Sequence, residues 1–468
     1  MPNTVELKGK RVLVVGLART GMATSLFCAE RGARVSATDT RSENELREAV
    51  AKLRAAGVHC ELGGHADALF LAQDLIVPSP GVPADEPRLL AARAAGILIW
   101  SEIELASRFL RGKLIGITGA NGKTTVTSLV AHILRSAGFS TISAGNIGTP
   151  LISCVDESRD ATVTVAELSS FQLELTETFR PNIAVFLNLT PDHLDRHHTM
   201  EAYGAAKAKI FANQTERDAA VLNADDALTT PYAPPLPRVY WFSRKQRVAQ
   251  GAFVKDGQII FRGDGEERAI LRVEDIPLVG AHNVENVLAS VCAAKLAGAD
   301  VRHIADAIRN FAGVEHRLEF VAEIGGVRYY NDSKATNVDA AQKALQSFPG
   351  RVLIILGGKD KAGDYAALRE DLHQRATLAL LIGSAAEKIA GQISSSVATE
   401  RAETLDRALE LAAQAARPGD IVLLAPACAS FDQFENYEHR GRVFRGLVHK
   451  LAERAALSAA TAAPRTGR

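Results

Sequence analysis

At 468 residues the chain is too long for one hydrophobic core, and about two to four domains are expected. Lys+Arg and Asp+Glu are both 54, so the formal net charge is zero, which excludes a nucleic-acid binder relying on global basicity. The 47% hydrophobic and 23% charged fractions are those of a soluble globular protein.

Five scattered cysteines, Cys28, Cys60, Cys154, Cys292 and Cys428, form no zinc or disulfide pattern and read as reduced thiols. The polar residues 1–11 and the short apolar run 12–18 lack the layout of a signal peptide, and no apolar run approaches membrane-span length. A cytoplasmic protein without a membrane partner is expected.

Residues 11–15 read as a strand, followed by Gly16-Leu17-Ala18-Arg19-Thr20-Gly21, a helix to residue 31, a strand at 34–38 and Asp39-Thr40-Arg41. This is a Rossmann-like start, with an acidic residue where a ribose hydroxyl is often held. Ala18 in place of the middle glycine weakens the case for a pyrophosphate, and an NAD-dependent oxidoreductase using Gly16, Gly21 and Asp39 stays open on the motif alone. Strands at 75–77 and 96–100 complete an α/β domain over residues 1–110. Its turn Ser79-Pro80-Gly81 reads equally as a binding loop or a plain connection.

A second domain, 111–313, opens on an apolar strand at 113–118, the turn Gly119-Ala120-Asn121-Gly122, then Lys123-Thr124-Thr125 and an apolar-periodic helix. Strand, glycine turn, Lys-Thr and helix form the layout of a phosphate-binding loop: backbone amides approach a triphosphate, Lys123 reaches the terminal phosphates and Thr124 sits on Mg²⁺. The strict spacing is not met, because Ile117 stands where its first glycine belongs. Beyond Asn146, a strand at 161–166 runs into Glu167, a position suited to a magnesium ligand. A strand at 183–187 leads into a loop holding Asp192, His193, Asp195, His197 and His198. That set invites zinc but matches no zinc spacing, so Mg²⁺ or substrate suits it better. A helix over 201–211 carries Lys207 and Lys209, residues 252–262 read as a hairpin around Asp256-Gly257, and a helix runs from about 281 to 297. Near its start, Asn283 and Asn286 are either caps or readers of an adenine edge.

A third domain, 314–455, repeats the βα pattern, with strands at 327–330, 351–356, 378–382 and 421–424. Asp332, Lys334, Lys361 and Ser430 follow strands, where open sheets bind ligands. The tail 456–468 is read as disordered.

Thr118-Gly119-Ala120-Asn121-Gly122-Lys123-Thr124, Glu167-Leu168-Ser169-Ser170-Phe171-Gln172, Asp192-His193, His282-Asn283 and Asn331-Asp332-Ser333-Lys334-Ala335-Thr336-Asn337 together resemble the ATP-dependent Mur ligases. The run Pro426-Ala427-Cys428-Ala429-Ser430-Phe431-Asp432-Gln433-Phe434 narrows the resemblance to members that add D-glutamate to UDP-N-acetylmuramoyl-L-alanine. The resemblance implies a Rossmann-like N-terminal domain holding UDP, a central P-loop ATPase domain with a mostly parallel sheet, and a C-terminal Rossmann-like domain closing over ATP and the amino acid. Its partners would be those small molecules alone, and the protein is expected to be a monomer. The UDP assignment displaces NAD from the N-terminal turn.

By the same resemblance, Gly119 to Thr125, Asn283, Asn286, Arg317 and Asp332 bind ATP. Arg19, Thr20, Asp39, Thr40, Arg41, Ser79, Pro80, Gly81, Asn146 and His193 bind the UDP-substrate. Thr124, Glu167, His193 and a carbamylated Lys207 hold Mg²⁺. Thr336, Lys361, Ser430, Phe431 and Tyr437 meet D-glutamate, Tyr437 standing where other members often carry Phe. Lys123, His193, Lys207 and Lys334 are the catalytic set. Rival readings are a neighbouring Mur-type ligase for another amino acid, a folylpolyglutamate synthase, and a nucleotide-gated binding protein.

Overall fold

A computed structural model describes residues 5–146 and 148–462. Strand Arg11–Val15 is buried at every position after Arg11, as expected for a strand covered on both faces. It lies at the centre of a wholly parallel five-stranded sheet, in the order His59–Leu62, Arg34–Asp39, Arg11–Val15, Leu75–Pro78, Leu98–Ile99. The chain order reverses between Arg11–Val15 and Leu75–Pro78, so the turn leading into helix Arg19–Glu30 and the loop carrying Ser79 leave the sheet at a topological switch point.

The second sheet has nine strands, ordered Thr141–Gly145, Val163–Glu167, Lys113–Thr118, Ile183–Phe186, Ala219–Asn223, Arg238–Ser243, Gly251–Lys255, Gln258–Gly263, Glu266–Arg272. Only the last two pairings are antiparallel. The hairpin joining Gly251–Lys255 to Gln258–Gly263 turns through Asp256 (φ 51°) and Gly257 (φ 72°), the pair of positive φ values that a tight hairpin demands. The third sheet runs Glu319–Ile324, Val327–Asn331, Ile421–Leu424, Val352–Gly357, Ala376–Ile382, Thr399–Glu403, with only the first pairing antiparallel.

The chain forms two compact units, Met1–Asp275 with Glu285–Phe311, and Ile276–Val284 with Ala312–Arg468. One division between the units falls at Phe311/Ala312, and Ile276–Val284 groups with the C-terminal part. Five strands lay outside the sequence expectation: His59–Leu62, Arg238–Ser243, Glu266–Arg272, Glu319–Ile324 and Thr399–Glu403. Four lie at sheet edges, where exposed charged residues blunt the hydrophobic signal. The helix expected over 201–211 is Met200–Ala208 followed by a 3₁₀ turn, Lys209–Phe211. The tail read as disordered is helical as far as Ala462, the end of Tyr437–Ala462, and residues 463–468 lie outside the described residues. No helix among the described residues is long and apolar enough to cross a membrane.

Candidate active site

The phosphate loop joins strand Lys113–Thr118 to helix Lys123–Ser136. Gly122 has φ 83°, and a Cβ there would lie 2.3 Å from Asn286 Oδ1, so glycine is required on both counts. Asn188 shapes the loop. The amides of Ala120 and Asn121 donate to its carbonyl (2.9 Å) and side-chain oxygen (2.8 Å), and its Nδ2 donates back to the Asn121 carbonyl (3.1 Å). This brace was not foreseen, because Asn188 is 67 residues away in sequence.

Two lysines converge on one carbonyl. Lys123 Nζ donates to the carbonyls of Gly119 (2.7 Å) and Ala120 (2.8 Å), and Lys207 Nζ donates to Gly119 at 2.9 Å. Lys207 is 1% exposed. Burial and then the neighbouring Lys123 charge hold its amine well below the usual lysine value, against the opposing pull of Asp192 and Glu167. Lys209 differs: its Nζ reaches the Glu174 carbonyl at 2.5 Å, in an exposed position.

Glu167 ends strand Val163–Glu167 and is buried. Its Oε1 accepts from Asn146 Nδ2 (2.8 Å) and its carbonyl from Asn146 N (2.8 Å). The Ser169 and Gln172 of the same motif form a capping box on helix Ser170–Leu173, so part of the motif is structural. His193 sits at φ 56°, with its amide on Asp192 Oδ1 (3.0 Å) and its ring edge-on to Phe171 (4.9 Å). His197 is buried on Ser170 Oγ (2.9 Å), between Phe171 and Tyr203, and burial foremost lowers its pKa to about 4. It is a packed core histidine. Among the described residues no group of three or more His, Cys, Asp or Glu is placed to hold a metal.

In the N-terminal sheet, Asp39 Oδ2 accepts from Leu17 N (2.7 Å) and Oδ1 from Arg41 N (2.9 Å), while the Arg41 guanidinium spans both oxygens. Burial alone would raise this carboxyl, but the bonds from Arg41 and Leu17 outweigh it and hold the pKa at about 2. Ser79 Oγ donates to the Gly16 carbonyl (2.7 Å), drawing Ser79-Pro80-Gly81 onto the glycine turn. Arg19 reaches the Gly148 carbonyl, Thr40 and Gly81 are exposed, and Pro80 and Thr20 are half-buried.

Asn286 lies beside the phosphate loop, whereas the Asn283 side chain donates to the Val279 carbonyl (2.7 Å).

In the C-terminal unit, Asp332 follows strand Val327–Asn331, and burial pushes its carboxyl up to about 6 against the pull of Arg317, the Leu318 amide and Lys334. Arg317 stands between two residues at positive φ, His316 (65°) and Leu318 (42°), and its Nε is buried without a partner among the described residues. Lys334 lies 5.1 Å over the Tyr437 ring, and Ser333 Oγ donates to the Tyr437 carbonyl (2.9 Å). Thr336 is half-buried, Ser430 buried, Lys361 exposed, and Phe431 67% exposed.

Arg440 was not singled out from the sequence, where nothing in Glu438-His439-Arg440-Gly441 separates it from a surface arginine. It is 0% exposed. Its guanidinium bonds the Ser333 hydroxyl (3.0 Å) and the carbonyls of Ser333 (2.8 Å), Cys428 (3.2 Å) and Ala429 (3.5 Å). One buried cation therefore ties the Ser333-Lys334 loop to the Cys428–Ser430 loop.

Family models cover the chain in tandem: the MurD-like N-terminal domain of Mur ligases matches residues 10–101, the Mur ligase middle domain 117–294, and the Mur ligase glutamate ligase domain 316–428. The UDP-N-acetylmuramoylalanine–D-glutamate ligase of Acidobacterium capsulatum is 56% identical over 97% of this chain and 98% of its own length. The enzyme of that name from Koribacter versatilis is 52% identical over 96% and 99%. Among solved structures, MurF ligase from Thermotoga maritima in complex with ADP shares the fold at a TM-score of 0.61, with 16% identity over 96% of this chain and 100% of that one. UDP-N-acetylmuramate-alanine ligase MurC from Thermotoga maritima does so at 0.59, with 20% identity over 94% and 100%. A phosphate loop flanked by two lysines, and relatives matched end to end at more than half identity, lead to one conclusion: the chain belongs to the Mur ligase family, beside its UDP-N-acetylmuramoylalanine–D-glutamate ligases.

Proposed function

We propose that the protein joins D-glutamate to the carboxylate of UDP-N-acetylmuramoyl-L-alanine, with ATP converted to ADP and phosphate, as a step in making peptidoglycan precursors. The observation that carries this reading is the convergence of Lys123 and Lys207 on the Gly119 carbonyl, in a chain aligned with D-glutamate ligases over nearly its full length. A carboxylate resists attack by an amine because its oxygen is a poor leaving group. Transfer of the γ-phosphoryl gives an acyl phosphate. The amine of D-glutamate then adds to its carbonyl carbon, the tetrahedral intermediate collapses, and phosphate leaves as the amide forms.

Phosphoryl transfer needs positioning and charge neutralisation above all. Lys123 would leave its present carbonyl partners for the triphosphate, with Asn286 and Asn283 toward the base and Arg317 and Asp332 at the nucleotide. The unpartnered Arg317 Nε supports that last role. Lys334 would steady the phosphoryl or carboxylate end. The N-terminal edge of Arg19, Asp39, Arg41 and Ser79 would take the uridine diphosphate, and Lys361, Ser430 and Tyr437 the amino acid.

The buried Thr124 hydroxyl and Glu167 carboxylate are hard oxygen donors of the kind Mg²⁺ prefers, and His193 would join them as the resemblance implies. When bound, the ion would neutralise charge on the phosphates. Lys207, with its amine depressed by burial, is suited to add CO₂ as a neutral nucleophile and become a carbamate, turning a cation beside the phosphate loop into an anion. We infer a monomer acting in the cytoplasm.

Release of ADP from a mixture with UDP-N-acetylmuramoyl-L-alanine and a panel of amino acids tests the proposal. D-Glutamate should support turnover. Turnover with L-lysine or meso-diaminopimelate but not D-glutamate would overturn it.

A further inference from the structure

The residues read as meeting D-glutamate stand on loops between strands of the third sheet, so something must set those loops against one another. Lys361 follows Asp360 in the loop after strand Val352–Gly357, and Ser430 follows Cys428 and Ala429 in the loop after strand Ile421–Leu424. The two loops pair backbone to backbone at Lys359 and Ala429, through bonds of 2.8 and 3.2 Å. Tyr365 sits between them. It is 1% exposed, and its hydroxyl lies 2.8 Å from Asp360 Oδ1 and 2.9 Å from Cys428 Sγ.

Proton bookkeeping gives this chain a direction. An ionised carboxylate only accepts, so the single hydroxyl proton of Tyr365 goes to Asp360, and the Cys428 thiol must be the donor to the Tyr365 oxygen. Burial keeps the Cys428 thiol protonated, pushing it up to about 11. Asp360 also accepts from Gly363 N (3.1 Å) and Lys388 Nζ (2.7 Å), so the turn displaying Lys361 closes around this one carboxylate, with Ala362 forced to φ 59°. On the far side, the Cys428 carbonyl is gripped by Arg440.

We propose that Tyr365 is a positioning residue for the amino-acid site: its hydroxyl, held between Asp360 and Cys428, sets the separation of Lys361 and Ser430 and thereby the fit of a substrate bearing a second carboxylate. This rests on the reading of Lys361 and Ser430 as D-glutamate residues.

Steady-state kinetics with each substrate varied in turn test it. Tyr365→Phe keeps the ring and removes the hydroxyl. It should raise KM for D-glutamate roughly tenfold, the scale of one lost buried hydrogen bond, and leave KM for ATP and for the UDP-substrate unchanged. Cys428→Ser retains a donor and should behave like the parent, whereas Cys428→Ala should match Tyr365→Phe. The double variant should be no worse than either single one, because all break the same chain. If Tyr365→Phe does not fold, the Cys428→Ser and Cys428→Ala pair reads the same chain from its other end. Lys361→Ala separates the two levels. If it leaves KM for D-glutamate unmoved, the reading of the site fails and the proposal with it. If it raises that KM while Tyr365→Phe leaves it unmoved, or raises all three KM values together, the positioning role is overturned and the site reading stands.

Discussion

Two strand–glycine turn–helix modules lie in the N-terminal unit, and they are built alike but charged oppositely. In the first, after strand Arg11–Val15, the turn is folded onto itself: a Cβ on Gly21 would lie 1.9 Å from the Gly16 carbonyl oxygen. Its Leu17 amide is capped by the Asp39 carboxylate, supplied 22 residues along the chain. In the second, after Lys113–Thr118, the turn amides are taken by neutral groups of Asn188, and the cation is the turn's own Lys123, with the buried Lys207 amine arriving from 88 residues along. Glycine spacing therefore marks where a phosphate-bearing ligand can approach, and the charge beside it decides which part of the ligand it suits. An anion at the first turn favours hydrogen-bond donors such as a uracil imide or ribose hydroxyls, and the Lys123 cation at the second favours a triphosphate.

The contrast breaks most severely at Lys123. Lys123→Ala should reduce ATP turnover by on the order of 10³-fold while the thermal unfolding temperature stays near the parent's, because its amine bonds the Gly119 and Ala120 carbonyls of its own loop rather than filling a core. Near-normal turnover in a folded variant would reduce the second module to an ordinary turn. Lys207→Ala should lose about 10²-fold, and a short-chain carboxylic acid should restore part of it by standing in for a carbamate. Full activity in that variant, or a larger loss from the exposed Lys209→Ala, would remove Lys207 from the site.

Both modules were legible in the sequence because each is local: strand, turn and helix follow within about 25 residues, and apolar runs such as Ile115 to Ile117 need no partner to be recognised. What could not be read there comes from distant chain. Asn188 bracing the phosphate loop, Arg440 gripping three carbonyls and Tyr365 between Asp360 and Cys428 are polar residues whose partners are set by the tertiary fold. In sequence they resemble surface residues. The edge strand Thr399–Glu403 is hidden for a related reason, since three of its five residues are charged and no apolar stripe marks it. Motif resemblance supplied the order of the site residues, but not the contacts that hold them.

At the first module the expected effect is smaller. Asp39→Ala should raise KM for the UDP-substrate roughly tenfold and leave KM for ATP unchanged, since it removes the acceptor that orders Leu17 and Arg41. Titration showing NADH binding that depends on Asp39 would instead revive a dinucleotide reading of that turn.

The smallest effect on activity concerns what joins the two modules, helix Glu102–Ser107, which carries two buried carboxylates in contrasting states. Glu104 is fully answered: it accepts from the amides of Glu177, Thr178 and Phe179, the Thr178 hydroxyl and Arg108. Glu102 is 2% exposed and accepts at Oε1 from Ile152 N (2.6 Å), while Oε2 is buried with no partner among the described residues. Burial therefore raises its pKa from 4.5 to about 7, with the amides of Ile152 and Leu151 pulling the other way. A carboxyl raised on folding binds its proton more tightly in the native state, so its contribution to stability falls as pH climbs from 4.5 through 7 and is fully unfavourable above that. Glu102→Gln, which imitates the protonated form, should leave stability unchanged near pH 4.5. At pH 8 it should raise it by on the order of 2–3 kcal/mol, with ligase activity retained. Unfolding followed by circular dichroism at both pH values reads this difference directly. Equal shifts at the two pH values would mean that Glu102 is ionised and answered in the folded chain, as Glu104 is.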